Sequence, residues 1–152
     1  MRLLNSICSV IASSYAGVPV HIEEVPNNFE RGSFYVHLAT GSSNIKNYNV
    51  YEDDPVFQIV YFGERNEANQ VLAEKLYEVK EKLKELFLLR RCVPVLPLEG
   101  KQEKARYAKI ESYSSEVRID EGAVYVKITL NFTEDIPNPN SYDDIENVEF
   151  VT

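Results

Sequence analysis

The sequence predicts an α+β domain, in which an antiparallel or mixed sheet of about four to six strands packs against an N-terminal helix and one long central helix. Apolar residues that repeat at steps of four and three between Leu72 and Leu86 predict the central helix. Alternation of apolar and polar residues, clearest from Val124 to Phe132, predicts the sheet. Both patterns lie within 152 residues, about the length of one ordinary domain.

The first helix is predicted over residues 2–15, where apolar residues follow helical spacing and Gly17 and Pro19 end the pattern. Polar residues interrupt its apolar stretch, so the continuous apolar region of a signal peptide is missing. No apolar run approaches the ~20 residues that a membrane span needs. These features predict a protein that is made and kept in the cytoplasm.

Three strand patterns precede the central helix. The first two cover residues 18–25 and 33–40, and residues 41–47 (GSSNIKN) are expected to form an exposed loop between strands. Residues 48–63 are strand-like on both sides of Pro55, where we expect an edge, a bulge or a break because proline has no N–H group. Apolar residues on both faces of this third strand predict that it is covered on both sides.

The central helix is expected to begin near Asn66, which has the side chain of an N-cap, and to end before Pro94. A hairpin is predicted after it. The hairpin consists of a strand over residues 106–119, a tight turn at residues 120–122 that contains a glycine, and the alternating strand that begins near Val124.

Residues 1–135 are therefore predicted to form a single domain, and residues 136–152 an acidic C-terminal arm. Six acidic residues and no Lys or Arg lie between Glu134 and Thr152, so this stretch carries six of the eight net negative charges. Prolines separate the arm from the domain, and its β-prone end is suited to adding a strand to a neighbour's sheet. The candidate interface residues are Tyr142, Ile145, Val148 and Phe150 in the arm and Asp53 and Asp54 in the domain.

The net charge of −8 and the pI of about 4.8 argue against a general nucleic-acid binder. Such proteins need a basic face that displaces counterions from phosphates. An acidic surface suits a solvated protein, or a wall that nucleic acid passes without binding. Cys8 and Cys92 stand alone in the sequence, and we interpret them as buried or half-buried thiols in a reducing compartment.

The sequence carries no recognisable catalytic motif. It has neither a nucleophile elbow nor a glycine-rich phosphate loop. His21 and His37 could lie on neighbouring strands and form a metal site with Glu23, but we interpret them as ordinary strand residues. Three pairs of adjacent carboxylates are interpreted as solvated turn charges, since acid–base catalysis needs a raised pKa in a cleft. We therefore predict no enzyme, no catalytic residue, no cofactor and no metal.

Aromatic residues are frequent, with ten Tyr and seven Phe. Tyrosine at strand positions is often half-exposed and is enriched at protein interfaces. Three hypotheses follow: a protein that works by assembly, a small-ligand or peptide-binding module with an aromatic sheet face, and an enzyme with an acidic active site. We favour assembly because the other two need a site that the sequence does not display.

Three pieces of the chain occur in a distinctive order. They are a P-x-F-x-I-x-Y-F strand at Pro55–Phe62, a helix start at Asn66–Leu76 and a D-E-G hairpin at Asp120–Phe132. Together they cover roughly residues 20–135 and resemble the tail terminator family of phage and prophage tails. The likeness is greatest to the version found in contractile tails and tailocins of Gram-positive bacteria. The shared features are patterns of burial and turns.

The resemblance implies a small α+β protein that assembles as a hexameric ring on the head-proximal end of a tail tube. Such a ring stops tube polymerisation, helps to end the sheath and offers a surface for head attachment. The implied partners are further copies of the chain, the tail tube protein, the sheath protein and a head-completion or connector protein. DNA would pass through the ring without specific binding, and no membrane is involved. The implied location is the tail of a virion or tailocin, assembled in the bacterial cytoplasm.

Overall fold

In the computed structural model, which describes residues 2–22, 24–98, 100 and 104–136, two helices pack on one face of a six-stranded sheet. The elements in chain order are α1 (Arg2–Ser14), β1 (Val20–Ile22), β2 (Ser33–Asn47), β3 (Val50–Phe62), α2 (Ala73–Lys84, continued by a π-helical turn over Glu85–Leu89), β4 (Cys92–Val95), β5 (Arg106–Arg118) and β6 (Ala123–Asp135).

The strands form one mixed sheet in the order β1-β2-β3-β6-β5-β4. β1 runs parallel to β2, and the other neighbouring pairs are antiparallel. Two long hairpins, β2–β3 and β5–β6, meet where β3 pairs with β6. Strands from both halves of the chain therefore form the centre of the sheet. The predicted α+β class, with an N-terminal helix and one long central helix, is confirmed.

The core lies between the inner face of the sheet and the two helices. Alternate residues from Val124 to Phe132 are all buried there, as the period-two pattern predicts. Ile7 and Ile11 of α1 and Leu83 of α2 belong to the same cluster and have no exposed surface. Burying one such side chain stabilises a fold by about 1.5–3 kcal/mol, so the apolar stripes fix both helices on the sheet.

The start of the central helix differs from the prediction. α2 begins at Ala73, and the expectation that Asn66 is its N-cap is wrong. The Asn66 side chain instead accepts a hydrogen bond from the backbone N–H of Gln70 at 2.8 Å, in a turn where Asn69 has a φ of 59°. This turn closes a small loop between Arg65 and Val71, so the chain reverses before the helix starts.

The β2–β3 hairpin is longer than predicted. Residues 41–47, expected to be a loop, continue β2 and pair with β3 as far as Asn47 opposite Val50. Their side chains are exposed, as expected for that stretch. Polar composition led to the wrong prediction, since these residues form the outer strand of a ribbon beyond the core, where they bury no face and show no apolar alternation.

The backbone is irregular beside Pro55, as predicted. Pairing between β3 and β6 is interrupted at Asp54 and Pro55, where proline has no N–H to donate. A bulge in β2 between Leu38 and Thr40 lies next to the same point. β3 is covered on both faces near its end, since Val60 and Phe62 are buried on the outer side. The interruption separates this covered half from the projecting half.

The two edge strands follow the sequence less closely than β5 and β6 do, since β4 was not predicted. β1 is three residues long, shorter than the predicted strand over 18–25. β5 and β6 match their predictions, and the turn between them places Gly122 at a φ of 66°, a conformation that favours glycine. Arg31 donates hydrogen bonds of 3.1 Å to the carbonyls of Gly63 and Glu121 and thereby fastens this turn to the end of β3.

Candidate interaction surface at the hairpin end

One end of the molecule combines a projecting hairpin with the first turn of α1. We call it the hairpin end and define it as residues 2–4, 38–55 and 132–136. The last strand accompanies the hairpin to its tip, because Val50 pairs with Asp135 and the N–H of Ile136 donates to the Asn49 carbonyl at 2.7 Å. The described part of the chain therefore reaches its last residue, Ile136, at this end.

A groove of about 470 Å³ opens at the hairpin end, between α1 and the inner face of the sheet. α1 begins here, so its first turn covers only part of the sheet beneath it. The apolar lining is contributed by Leu3, Leu4, Leu38, Pro55, Phe57 and Phe132. Leu38 is 55% exposed although it continues the buried row of Phe34 and Val36. The groove is therefore a continuation of the core that no described residue fills.

Polar groups border the groove and hold it in shape. The Arg2 Nη1 atom lies 3.2 Å from Oε1 of Glu134, and Arg2 Nε donates to the Leu96 carbonyl at 2.8 Å. The Tyr51 hydroxyl donates to the other oxygen of Glu134. This hydrogen bond is the main cause that raises the pKa of Tyr51 to about 12, with burial second. The Glu134 carboxylate of β6 therefore binds side chains from both α1 and β3.

The opposite face of the hairpin carries a cluster of carboxylates. Glu52, Asp54 and Glu111 lie close enough to hold a metal ion. Lys46 Nζ lies 2.6 Å from Glu52, and Asn131 donates to both Glu52 and Asp54. The hydrogen bond from Lys46, followed by that from Asn131, lowers the pKa of Glu52. A general acid needs a raised pKa, so Glu52 has the wrong electrostatics for that role.

The predicted interface residues are only partly placed by the structure. Asp53 borders the groove and accepts a hydrogen bond from the Ser43 hydroxyl. Asp54 belongs to the carboxylate cluster and accepts from Asn131 at 2.8 Å. The side chains of Asp53 and Asp54 therefore lie on opposite faces of the hairpin, because side chains alternate along a strand. The arm residues of the prediction, Tyr142, Ile145, Val148 and Phe150, lie outside the described residues.

The two histidines do not form a joint ion site with a described residue. Nε2 of His21 lies 3.3 Å from a Glu30 oxygen, and its ring stacks on Tyr35 at a centroid distance of 4.8 Å. His37 is half-buried, and its Nδ1 has no hydrogen-bond partner among the residues that the structure describes. Glu23, the third member of the hypothetical site, lies outside the described residues.

The aromatic residues on the outer face of the sheet test the hypothesis of a small-ligand or peptide-binding module with an aromatic sheet face. Tyr35 and Phe62 are buried there, and Phe29 stacks on Phe62 at a centroid distance of 3.9 Å. The Arg118 guanidinium lies 4.0 Å from the ring centroid of Tyr125. These rings are covered by other side chains of the same chain, so they do not present an open stacking surface.

Sequence reasoning missed the groove. A row of apolar residues along a strand gives no sign of where the covering helix begins. Cys8 and Cys92 are half-buried free thiols, as predicted. Neither helix is long and apolar enough to span a membrane within the part of the chain that the structure describes.

Comparison with known proteins agrees with the resemblance noted in the sequence. The model of the family described as phage tail terminator protein matches residues 2–142. No curated protein sequence matches the chain. The match spans both hairpins, both helices and the groove, and the family is one of structural proteins of phage tails. The chain belongs to the phage tail terminator protein family.

Proposed function

We propose that this protein forms a hexameric ring on the head-proximal end of a phage or tailocin tail tube and ends the polymerisation of the tube. The observation that carries the proposal is the family match across residues 2–142. In a contractile tail the same ring would end the sheath. Its free face would then receive a head-completion or connector protein, or close a headless particle.

The geometry and charge of the chain support a ring. A ring needs two different surfaces on each copy that meet under rotation. The hairpin end offers one such surface, with an apolar groove that no described residue fills. A net charge of −8 suits a channel through which DNA moves without binding, because phosphates gain no counterion release from an acidic wall.

The proposal is tested by deleting the gene and measuring tail length by electron microscopy. Without the terminator, tubes are expected to vary in length and to lack a collar at one end. Supplying the gene in trans should restore uniform tails, and an antibody against the chain should label one end only. Tails of normal, uniform length with their usual collar in the deletion strain would rule out a terminator.

We further propose that the acidic arm contributes to subunit contacts through Tyr142, Ile145, Val148 and Phe150, and that Asp53 and Asp54 lie at the receiving surface. The core side chains that the structure describes all lie within residues 2–136, and none of them is removed by changing residues 140–152. Deleting residues 140–152 is expected to leave the circular dichroism spectrum of the subunit unchanged and to abolish rings on tubes.

A variant in which residues 140–152 are replaced by an equally long Gly/Ser segment separates contact from simple chain length. It is expected to behave like the deletion, because it preserves length but removes the apolar and acidic side chains. Intact rings formed by either variant would contradict the proposed contact while leaving the terminator function standing.

A further inference from the structure

Among the strands that the structure describes, none pairs with the outer edge of β2 over most of its length. β1 pairs only with Phe34–Val36, and beyond that point no described strand lies on this side of β2. The side chains from Leu38 to Asn47 are all exposed. Open strand edges are usually protected by several charges or by proline, yet Lys46 is the one charged residue on this stretch. The backbone N–H and C=O groups of this edge are therefore suited to pairing with another strand.

The groove lies directly beside this edge. Leu38, Gly41, Ser42 and Ser43 belong both to the open stretch of β2 and to the groove lining. A strand added to the edge would place every second side chain over the groove, since side chains alternate between the faces of a sheet. Strand addition of this kind takes its affinity from the main chain and its specificity from such pockets.

We infer that, in the proposed ring, residues 148–151 of a neighbouring copy add as a strand to the outer edge of β2 and place Phe150 in the groove. This inference rests on the proposed function and names the receiving site for the arm. Val148 and Phe150 share one face of the added strand, and an apolar groove suits both. The open stretch of β2 carries no carboxylate that would repel the acidic arm, and its one charged residue, Lys46, is paired with Glu52. The two carboxylates of the groove, Asp53 and Glu134, already have hydrogen-bond partners within the same copy.

The position and length of the arm favour a neighbouring copy as its source. The described chain ends at Ile136, held beside Asn49 at the same end of the molecule as the groove. Equivalent points on the copies of a ring lie at the same height along the ring axis. An arm that leaves one copy at the hairpin end therefore reaches the groove of the adjacent copy without moving along the axis.

The distance to be crossed agrees with the length of the arm. Residues 137–147 span at most about 40 Å when extended, and a domain of this size is about 37 Å across. The β2 edge of the same copy lies two strand spacings from β6, about 10 Å away, which far fewer residues would bridge. The arm therefore matches the adjacent copy.

The contact is tested by photo-crosslinking full-length chains assembled on purified tail tubes. Phe150 is replaced by a photoreactive phenylalanine analogue in a tagged copy, which is mixed with untagged copies. Mass spectrometry is expected to find cross-links from position 150 to residues 3–4 or 38–43 of the untagged copy. Cross-links confined to one chain, cross-links to another surface, or no cross-links would each overturn the inference.

A matched pair of substitutions in the untagged copy sharpens the result. Leu38→Asp is expected to lower the cross-link yield about tenfold, the loss typical of a central contact. Ile119→Asp is the control, because Ile119 is 48% exposed, close to the 55% of Leu38, and lies beside the β5–β6 turn at the opposite end of the sheet. Equal losses in both variants would count against the groove.

The two proposals fail in different ways. If the unsubstituted chain forms no rings on tubes, the ring and this contact are both overturned. If rings form and control tail length but position 150 cross-links elsewhere, the terminator function stands and the assigned contact is wrong.

Discussion

Gly63 tests how tightly α2 is packed on the sheet. Gly63 follows β3, and its N–H donates to the Gly122 carbonyl at 2.9 Å. A Cβ atom at this position would lie 2.7 Å from Cδ2 of Leu76, closer than real Cβ contacts. Leu76 is 1% exposed and cannot turn into solvent. Gly63→Ala should therefore force the strand end and the helix apart.

The expected cost is that of an overpacked core, about 1–3 kcal/mol in the free energy of unfolding. Leu76→Ala alone should cost about 2–5 kcal/mol, because it leaves a cavity in the core. In the double variant the new methyl group has no leucine to collide with. The combined cost should thus fall short of the sum of the two single costs by about 1–3 kcal/mol.

Urea unfolding followed by far-UV circular dichroism measures these values by linear extrapolation. Gly41→Ala is the control, since its Cβ would meet the Pro55 Cα at 3.3 Å on the exposed hairpin, which can yield. It should cost less than about 1 kcal/mol. An unaffected Gly63→Ala variant, or strictly additive costs in the double variant, would refute the packing argument.

Three further perturbations follow from local geometry. Gly122→Ala places a Cβ 2.9 Å from the Arg31 guanidinium at a φ of +66°, so thermal melting should report a loss of about 1–3 kcal/mol. Burial raises the pKa of Tyr15 from its ordinary 10.0 to about 12. The neutral Tyr15 hydroxyl therefore contributes its full stabilisation below pH 10, and this contribution is lost as the pH rises towards 12. In urea titrations, Tyr15→Phe should make the free energy of unfolding decline less steeply at alkaline pH. Lys46 lowers the pKa of Glu52 below its ordinary 4.5. The ionised Glu52 carboxylate therefore stabilises the fold above that pH, and this stabilisation is lost as the pH falls. Glu52→Gln should reduce acid sensitivity at low salt but not in 1 M salt; an unchanged acid limb would contradict this account.

The elements that bury apolar surface were predictable from the sequence. The stripe from Leu76 to Leu86 and the alternation from Val124 to Phe132 both became buried core rows. In such segments one physical requirement, a dry face, dictates the spacing of residues along the chain. The D-E-G turn was equally predictable, because Gly122 occupies a left-handed conformation that favours glycine.

The elements that bury little were predicted poorly. Residues 41–47 form a strand although their composition is that of a loop, because pairing with β3 supplies what side-chain burial does not. Asn66 has cap chemistry, yet its side chain closes a turn seven residues before the helix. A local hydrogen-bonding preference is satisfied by more than one backbone path, so the sequence signal alone leaves the path open.

The sequence by itself determined the class of fold, the long helix, the C-terminal hairpin and the family resemblance, since these depend on periodic burial and on turn residues. Only the tertiary structure decided that α1 begins beside Leu38, that β1 is too short to cover β2, and that Asp53 and Asp54 serve opposite faces. These features depend on where separate elements end relative to one another in space. That relation brings residues 2–4, 38–55 and 132–136 together across the whole chain, and no local pattern encodes it.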